Sequence, residues 1–336
     1  MHQVHIEPSQ IAFSCQDSDT VLRAALRAGI GFPYECNVGS CGNCKFELLQ
    51  GELTSAWDQA PGLSEKDKQK NRHLGCQSLA KGEVRIKLRT QERYTPIHNP
   101  VKTAAHFIEQ RVITHDISEF AFETEVPVEF SAGQYALIDL PGVSGPRAYS
   151  MSQAGGKHQR IEFQVRRTPT GIGSQVLFDL KPNTPVLIDG PYGMAYLRED
   201  SSRDILCVGG GSGLAPMISI ARGALTSPKM PHQQVHFLYG ARQERDVCGL
   251  DMLQALPNWS QRGHYHAVLS NEDADAPRSP ERLSGFVHDA LATLHSERLA
   301  DFEIYFAGPP LMAQAMLKLL IEQKVPMEQV HFDQFY

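Results

Sequence analysis

Three cysteines stand within nine residues, in the segment CNVGSCGNC at 36–44. Four residues separate Cys36 from Cys41, two separate Cys41 from Cys44, and Cys76 follows after 31 more. A loop that crowds thiols this densely either pairs them as disulfides or gives them to one shared ligand. The opening stretch MHQVHIEPSQ has no basic n-region followed by an apolar h-region, so the expected setting is cytoplasmic and reducing, where disulfides are rare. Zinc sites usually join two short cysteine knuckles, and Cys76, in LGCQ, has no cysteine beside it. Cys-x4-Cys-x2-Cys with a distant fourth cysteine is instead the spacing of a plant-type [2Fe–2S] centre. Gly39 and Gly42 suit that reading, because glycine admits positive φ and lets backbone N–H groups approach the sulfurs closely. No Cys-x-His pair supplies histidine ligands, so the expected potential is low, of the order of −400 mV, and electrons move singly. The ligand candidates are Cys36, Cys41, Cys44 and Cys76. Cys15, Cys207 and Cys248 fall outside the set, and Cys207, in an apolar run, reads as a buried structural thiol.

A chain of 336 residues is far longer than a cluster needs, and its length suggests two to three domains. The residue pattern changes twice. Up to residue 92, QVHIEP and QIAFSC read as short strands. DTVLRAALRAG reads as a helix capped by Asp19 or Thr20 and stopped by Gly29. KFELLQGELT and GEVRIKLRT alternate like strands on either side of Cys76. TQERYTPIHNPVKT is polar, holds two prolines and lacks periodicity, which predicts a linker. From 103 to 198 the segments HFIEQRVI, EFAFETEV, QYALIDL, RAYSMS, RIEFQVRR and TPVLIDG predict a small antiparallel barrel with one helix near 173–180.

From 199 to 336 strands and helices alternate. DILCVGG, VHFLYGA, HYHAVLS, EIYFAG and QVHFD are the strands, with helices near 214–225, 246–256, 281–294 and 310–323. That pattern predicts a doubly wound parallel sheet, which binds ligands at the carboxyl ends of its strands. The expected fold is therefore α+β and α/β multidomain, with boundaries at 1–92, 103–198 and 199–336. No run approaches 18 apolar residues, so no transmembrane helix is expected. A net charge of −6 gives no reason to expect nucleic acid or an anionic membrane as partner. A monomer is expected.

Two further segments suggest cofactors. In RAYS, a guanidinium at Arg147 suits a diphosphate, Tyr149 lies on the same strand face, and Ser150 suits a ring nitrogen. Val165 and Arg166 offer a second strand. GIGS follows, where Gly171, Gly173 and Ser174 open a helix with free N–H groups suited to phosphate. Tyrosine and arginine on a barrel strand commonly do no more than pack and carry charge. It is the order strand, strand, glycine-rich helix start that favours a flavin.

CVGGGSGLAPM, at 207–217, is a strand end, a glycine-rich turn and a helix start. Gly209, Gly210, Gly211, Ser212 and Gly213 allow a pyrophosphate to approach the backbone at a helix N-terminus. It is not G-x-G-x-x-G, because the third glycine of that pattern would fall at Leu214. The next strand carries Tyr239 and ends at Arg242 rather than at an acid. A 2′-phosphate is thus permitted, and chemistry alone leaves NADH against NADPH open. AGPPLM places Gly308 and Pro309 at the same sheet edge. HFDQFY ends in Phe335 and Tyr336, suited either to covering a flat cofactor ring or to plain core packing.

Together these residues resemble the ferredoxin–NAD(P) reductase superfamily in its oxygenase-reductase branch. The likeness is greatest to the reductase components of bacterial multicomponent aromatic monooxygenases, of the toluene and phenol type. FPYECNVGSCGNCKFELLQGE, RAYS, DGPYG, GGGSGLAPM, AGPP and VPMEQVHFDQF carry the likeness across the whole chain. The resemblance implies a β-grasp ferredoxin domain, an antiparallel FAD-binding β-barrel and an NAD-binding sheet, with FAD, a [2Fe–2S] cluster and NADH as cofactors. It implies delivery of electrons to a Rieske-type ferredoxin or directly to a hydroxylase component. It assigns Arg147, Tyr149 and Ser150 to FAD, and Val165, Arg166 and the Gly171–Ser174 turn to its ribose and diphosphate. Gly209 to Gly213, Tyr239, Gly308 and Pro309 go to the dinucleotide. Ser150, Phe335 and Tyr336 are placed at the reaction centre, with Phe335 shielding the flavin ring and Tyr336 next in line. Many relatives carry a cysteine where this chain has Ala307, so no thiol role in hydride transfer is carried over.

The implied chemistry explains the size of the chain. NADH yields two electrons as a hydride, a [2Fe–2S] centre takes one, and a flavin converts between the two. An oxygenase with a di-iron site would need two Glu-x-x-His pairs on bundle helices, and only Glu328–His331 matches, running from a helix end into a strand. Two rivals remain. One is a reductase of the same architecture serving a ring-hydroxylating dioxygenase or a deoxysugar-forming enzyme. The other is a non-catalytic electron carrier or redox sensor, against which the flavin and nucleotide segments speak.

Overall fold

A computed structural model of the chain describes residues 1–271, 282–295 and 298–335. The chain divides into two compact units. One holds Met1–Thr103, Leu137–Ala148 and Leu187–Tyr192; the other holds Ala104–Ala136, Tyr149–Val186 and Gly193–Tyr336.

The N-terminal elements are β1 (His2–Glu7), β2 (Ile11–Cys15), α1 (Val21–Arg27), β3 (Lys45–Gln50), β4 (Leu53–Ser55), α2 (Glu65–Gln69), β5 (Arg72–Leu74), β6 (Ser78–Ala80) and β7 (Val84–Lys87). Five of the strands form a sheet in the order β2-β1-β7-β3-β5, with β1 and β7 parallel at its centre. This is the β-grasp arrangement. Helix α1 starts where the Thr20 hydroxyl accepts from the Arg23 amide, and it buries Val21, Leu22, Ala25 and Leu26. These positions repeat at one-turn spacing, so one face meets the core. The helix stops at Gly29, whose φ of 74° continues no right-handed turn. Gly51, at φ 98°, splits the expected KFELLQGELT strand into β3 and β4.

The segment expected to be a linker is held down rather than free. The Gln91 amide donates to Gly31 O at 2.8 Å, and residues Glu92–Tyr94 form a 3-10 turn. Gly31 is glycine because a Cβ there would meet Gln91 O at 2.2 Å.

The middle elements are β8 (Val101–Val112), β9 (Ile117–Phe130), β10 (Tyr135–Asp139), β11 (Arg147–Ser150), β12 (Gly156–Arg166), α3 (Ile172–Phe178) and β13 (Pro185–Tyr192). They make one six-stranded sheet in the order β11-β10-β13-β8-β9-β12. Long antiparallel pairing of β9 with β12 brings Phe120, Phe122 and Phe163 into a fully buried aromatic core.

The last elements are β14 (Asp204–Gly210), α4 (Leu214–Thr226), β15 (Val235–Ala241), α5 (Leu250–Gln254), α6 (Trp259–Arg262), β16 (Gly263–Leu269), β17 (Arg282–Ser284), α7 (Val287–His295), β18 (Phe302–Gly308), α8 (Pro310–Glu322) and β19 (Val330–Gln334). The sheet order is β17-β16-β15-β14-β18-β19, and every pairing is parallel. Strand order reverses between β14 and β18, so this is the switch point at which doubly wound sheets bind ligands. Strands β14 and β18 are apolar apart from Asp204 and Glu303, because both faces of a parallel sheet are covered.

Two expectations need correction. The helix expected over 281–294 begins only at Val287, because Gly285 sits at φ 108° and residues 282–284 pair with β16 as an edge strand. The helix expected over 246–256 is a 3-10 turn at Glu244–Asp246 followed by the five-residue α5. Among the described residues, no helix is long and apolar enough to cross a membrane.

Candidate functional site: a thiol loop and a glycine turn

The loop after α1 brings the four cysteines together as two contacting pairs. Backbone N–H of Cys41 points at Cys36 Sγ (3.3 Å), and Cys44 Sγ lies 3.4 Å from Cys76 Sγ. The amide of Asn43 reaches Cys41 Sγ (3.5 Å), and the Gln77 side-chain amide reaches Cys76 Sγ (3.6 Å). Donors aimed at sulfur favour the thiolate. A hydrogen bond from Cys41, followed by amides of Val38, Cys41 and Ser40, pushes Cys36 down to about 5 against the cost of burial.

The fit to a cluster follows from the donor set. Among the described residues, no three His, Cys, Asp or Glu side chains are arranged for one metal ion. A two-iron cluster takes two sulfurs per iron, which the pairs Cys36–Cys41 and Cys44–Cys76 supply. Gly39 and Gly42 have φ of 92° and 80°, as the spacing predicts, and Asn37 also takes positive φ at 55°. At Gly42 a Cβ would meet Gly62 O at 2.7 Å. Sequence reasoning missed two neighbours of this loop. Arg23 donates to Asn37 Oδ1 and Asn37 O, both at 3.2 Å. Trp57 lies against Gly39 yet remains 46% exposed.

On the barrel strands the candidates are placed as follows. Arg147 donates to the carbonyls of Ser144, Gly145 and Pro146 at 2.9–3.3 Å, which fixes its guanidinium over its own loop. Tyr149 stands edge-on to Phe163, with ring centroids 6.5 Å apart. Ser150 and Val165 are buried. Gly171 caps α3, Gly173 is buried, and the Ser174 hydroxyl accepts from the Thr168 amide (3.1 Å) and donates to Gly171 O (2.9 Å). That hydroxyl is occupied in closing the turn.

Arg166 is held by a partner far along the chain. Its Nε donates to Asp116 Oδ2 at 2.6 Å, and its Nη1 lies 3.6 Å from where a Cβ on Gly211 would be. The structure thus brings Arg166 beside the glycine turn of the parallel sheet. An ion pair across 50 residues leaves no mark in local sequence.

The turn itself runs from β14 through a 3-10 turn at Gly211–Gly213 into the 13-residue α4. A Cβ on Gly213 would lie 1.9 Å from Ala307 O, so no side chain fits there. Only Gly211, at φ 58°, needs glycine for its conformation. Tyr239, fully buried, donates its hydroxyl to Gly211 O at 3.0 Å. Gly209 is the register partner of both Tyr239 and Ala307. A cavity of ≈ 170 Å³ opens over this edge, lined by Arg166, Gly210, Gly211, Arg242, Ser270 and Pro309 among others. Phe335 N–H donates to Gly308 O at 3.3 Å, extending the last strand along this edge, and its ring packs on the sheet core. Tyr336 lies outside the described residues. Ser212 is half-buried in the turn.

The remaining expectations are resolved simply. Cys207 is fully buried and its thiol is raised by that burial alone. His331 is bound to Glu303 (2.6 Å) and stacked on Tyr305, so Glu328–His331 is no iron motif.

A β-grasp loop with four converging thiols, a six-stranded sheet and a doubly wound sheet with a phosphate-type glycine turn define a class: iron–sulfur flavoprotein reductases that use a nicotinamide nucleotide. The comparisons agree. Residues 4–81 match the 2Fe-2S iron-sulfur cluster binding domain, 104–196 the oxidoreductase FAD-binding domain and 207–318 the oxidoreductase NAD-binding domain. The chain is 37% identical to ferredoxin–NAD(P)(+) reductase CarAd of Metapseudomonas resinovorans, over all of both chains. It is 32% identical to the xylene/toluene monooxygenase electron transfer component XylA of Pseudomonas putida, over 99% of this chain and 93% of that one. The solved ferredoxin reductase in carbazole 1,9a-dioxygenase superposes with a TM-score of 0.89 at 36% identity, over 100% of this chain and 98% of that one. The chain belongs to the ferredoxin–NAD(P)(+) reductase family that supplies multicomponent oxygenase systems, and it carries electrons from NADH through FAD and a [2Fe–2S] cluster to a partner component.

Proposed function

We propose that this chain is the cytoplasmic, monomeric reductase of an aromatic-hydrocarbon monooxygenase system, and that it reduces a Rieske-type ferredoxin or a di-iron hydroxylase one electron at a time. The observation that carries the reading is the thiol loop with amides turned toward its sulfurs, in a chain that also folds a nucleotide-binding switch point. The similarity to XylA, the electron transfer component of a xylene/toluene monooxygenase, supports the choice of system. An alkene monooxygenase reductase of Xanthobacter autotrophicus, 36% identical over 96% of this chain and 98% of that one, supports a monooxygenase system without bearing on an aromatic substrate.

The domains proposed are 1–92, 103–198 and 199–336. Gly209 to Gly213 and the start of α4 receive the pyrophosphate of NADH, with Gly308 and Pro309 closing the same edge. Arg147, Tyr149, Ser150, Val165 and the 171–174 turn hold FAD, which when bound accepts a hydride and releases electrons singly. Phe335 covers the flavin ring. Arg166 serves the ribose and diphosphate of the same FAD, from a place beside Gly211. Each NADH gives two electrons and one proton, and so reduces two one-electron acceptors.

Anaerobic mixing with NADH and a purified Rieske-type ferredoxin or di-iron hydroxylase of a toluene-type system tests this. Two equivalents of reduced acceptor per NADH are expected. A second reading, service to a ring-hydroxylating dioxygenase, is favoured by the full-length similarity to CarAd and the carbazole-system reductase. Reduction confined to a dioxygenase ferredoxin would select it.

A further inference from the structure

Helix α1 carries two arginines one turn apart, and they hold different parts of the chain. Arg23 grips the cluster loop through Asn37, one residue from the ligand Cys36. Arg27 donates twice to Asp189 on β13, at 2.8 Å through each of Nη1 and Nη2. It also donates to Asp19 (2.8 and 3.3 Å) and to Pro100 O (3.3 Å). The Asp189 side chain is 6% exposed and that of Arg27 24%. Tyr192 completes the contact, its hydroxyl donating to Asp189 Oδ1 at 2.8 Å. Burial, with the neighbouring Asp189, raises the phenol well above its ordinary value, so it stays a donor. The Tyr192 ring meets the Tyr34 ring edge-on, with centroids 6.3 Å apart, and Tyr34 lies two residues before Cys36.

Strand β13 is therefore tied to the cluster loop twice, through Asp189–Arg27–α1–Arg23–Asn37 and through Tyr192–Tyr34. All these residues belong to one compact unit. Arg27 falls within the iron–sulfur family match and Asp189 within the FAD-binding match. In the sheet, β13 borders β10, which borders β11 with its RAYS residues.

A buried ion pair is a weak source of stability, since apolar residues of similar volume often serve as well or better. What a bidentate guanidinium–carboxylate pair supplies is a fixed geometry. We infer that the Arg27–Asp189 pair is a positioning element, which holds the cluster loop at a set distance from β13 and thereby sets the rate at which single electrons pass from the flavin to the cluster. The inference rests on the redox chain of the family and not on the identity of the acceptor.

The test uses the full-length holoprotein and anaerobic rapid mixing with NADH, with flavin and cluster bleaching followed separately. In Arg27→Met, cluster reduction is expected to slow by about tenfold or more, as small misplacements of reacting groups do. Flavin reduction, cluster content and the electron paramagnetic resonance spectrum of the cluster should stay native. Amide hydrogen exchange in 187–192 and 34–38 should rise. Arg27→Lys, which keeps the charge without the fork, should recover part of the rate. Arg27→Met/Asp189→Leu removes both members of the buried pair and leaves only Asp19 without its guanidinium, so it decides the matter if the single variant loses cofactor. A folded double variant with slow cluster reduction supports the inference. One with native cluster reduction overturns it, as does faster exchange without any change in rate.

Discussion

The cluster loop and the nucleotide turn are both glycine-rich, yet glycine does different work in each. In the loop, Gly39 and Gly42 supply conformation, at φ of 92° and 80°, so that successive amides turn toward sulfur. In the turn, Gly213 supplies space, because a carbonyl oxygen already stands where its Cβ would be, and only Gly211 needs positive φ. A thiol site needs a backbone that curls round its ligand. A pyrophosphate site needs a backbone with nothing on it. The same residue type in sequence thus marks two separate physical demands.

The sharpest way to break the comparison is at a ligand. Cys41→Ser should abolish cluster binding and NADH-dependent cytochrome c reduction, while part of the NADH:ferricyanide activity, which needs only the flavin, remains. Full retention of both activities would remove the loop from the electron path. Next, Gly213→Ala forces a methyl into the Ala307 carbonyl and should cost about 3 kcal/mol in urea unfolding, with loss of NADH affinity. A wild-type unfolding midpoint would show that space is not what Gly213 provides.

Conformation alone should cost less. Gly39→Ala places a side chain at positive φ, about 1–2 kcal/mol, and also presses on Ala60 and Trp57 at 3.2 Å. Its readout is a lower iron content per chain. Gly211→Ala pays about 1 kcal/mol for conformation but meets nothing closer than Arg166 at 3.6 Å. It should therefore fold and bind NADH only modestly more weakly, and Gly211→Asn should be milder still.

Acid separates the two regions most gently. His236 on β15 stacks on His264 and meets His295 edge-on, at 4.5 and 5.0 Å between centroids. Burial first, then those two histidines and Arg298, lower His236 to about 3. The unfolded chain takes up this proton first, so stability falls as pH drops from the ordinary 6.5 towards about 3. Near the cluster loop, Asp67 is held below its ordinary 3.8 by Lys45 and Ser64, so its contribution is lost only below that value. The chain has two tryptophans, Trp57 beside the cluster loop and Trp259 in the core of the parallel-sheet domain. In Trp57→Phe, emission from the buried Trp259 should shift to the red between pH 6 and 4 (roughly the His236 window). An unchanged spectrum there would argue against a histidine-linked loosening.

What the sequence made legible was whatever is written locally. Cysteine spacing identified four thiols that the fold does bring together. Apolar runs ending in glycine located β14 and β18 at one sheet edge. Alternation located the barrel strands, although Gly51 and Gly285 reset two boundaries. The rest depended on contacts between distant residues. Arg166 was legible only through its strand neighbours, and its ion pair with Asp116, fifty positions away, and its place beside Gly211 have no local signature. The TQERYTPIHNPVKT segment looked free because its partner, Gly31, is a bare backbone with no side-chain signature. Nothing near Arg27 predicts Asp189, 162 residues further on.

That last pair bears on how such reductases are assembled in evolution. The iron–sulfur and flavin modules are matched as separate stretches of the chain. Here one module contributes a largely buried cation and another its carboxylate. A graft that brings Asp189 without Arg27 leaves an uncompensated carboxylate at the seam, a large penalty in a buried setting, whereas Arg27 alone keeps only its half of the pairing, with Asp19. Successful chimaeras of this chain should be those that carry positions 27 and 189 together, so these two sites define a compatibility code between the parts.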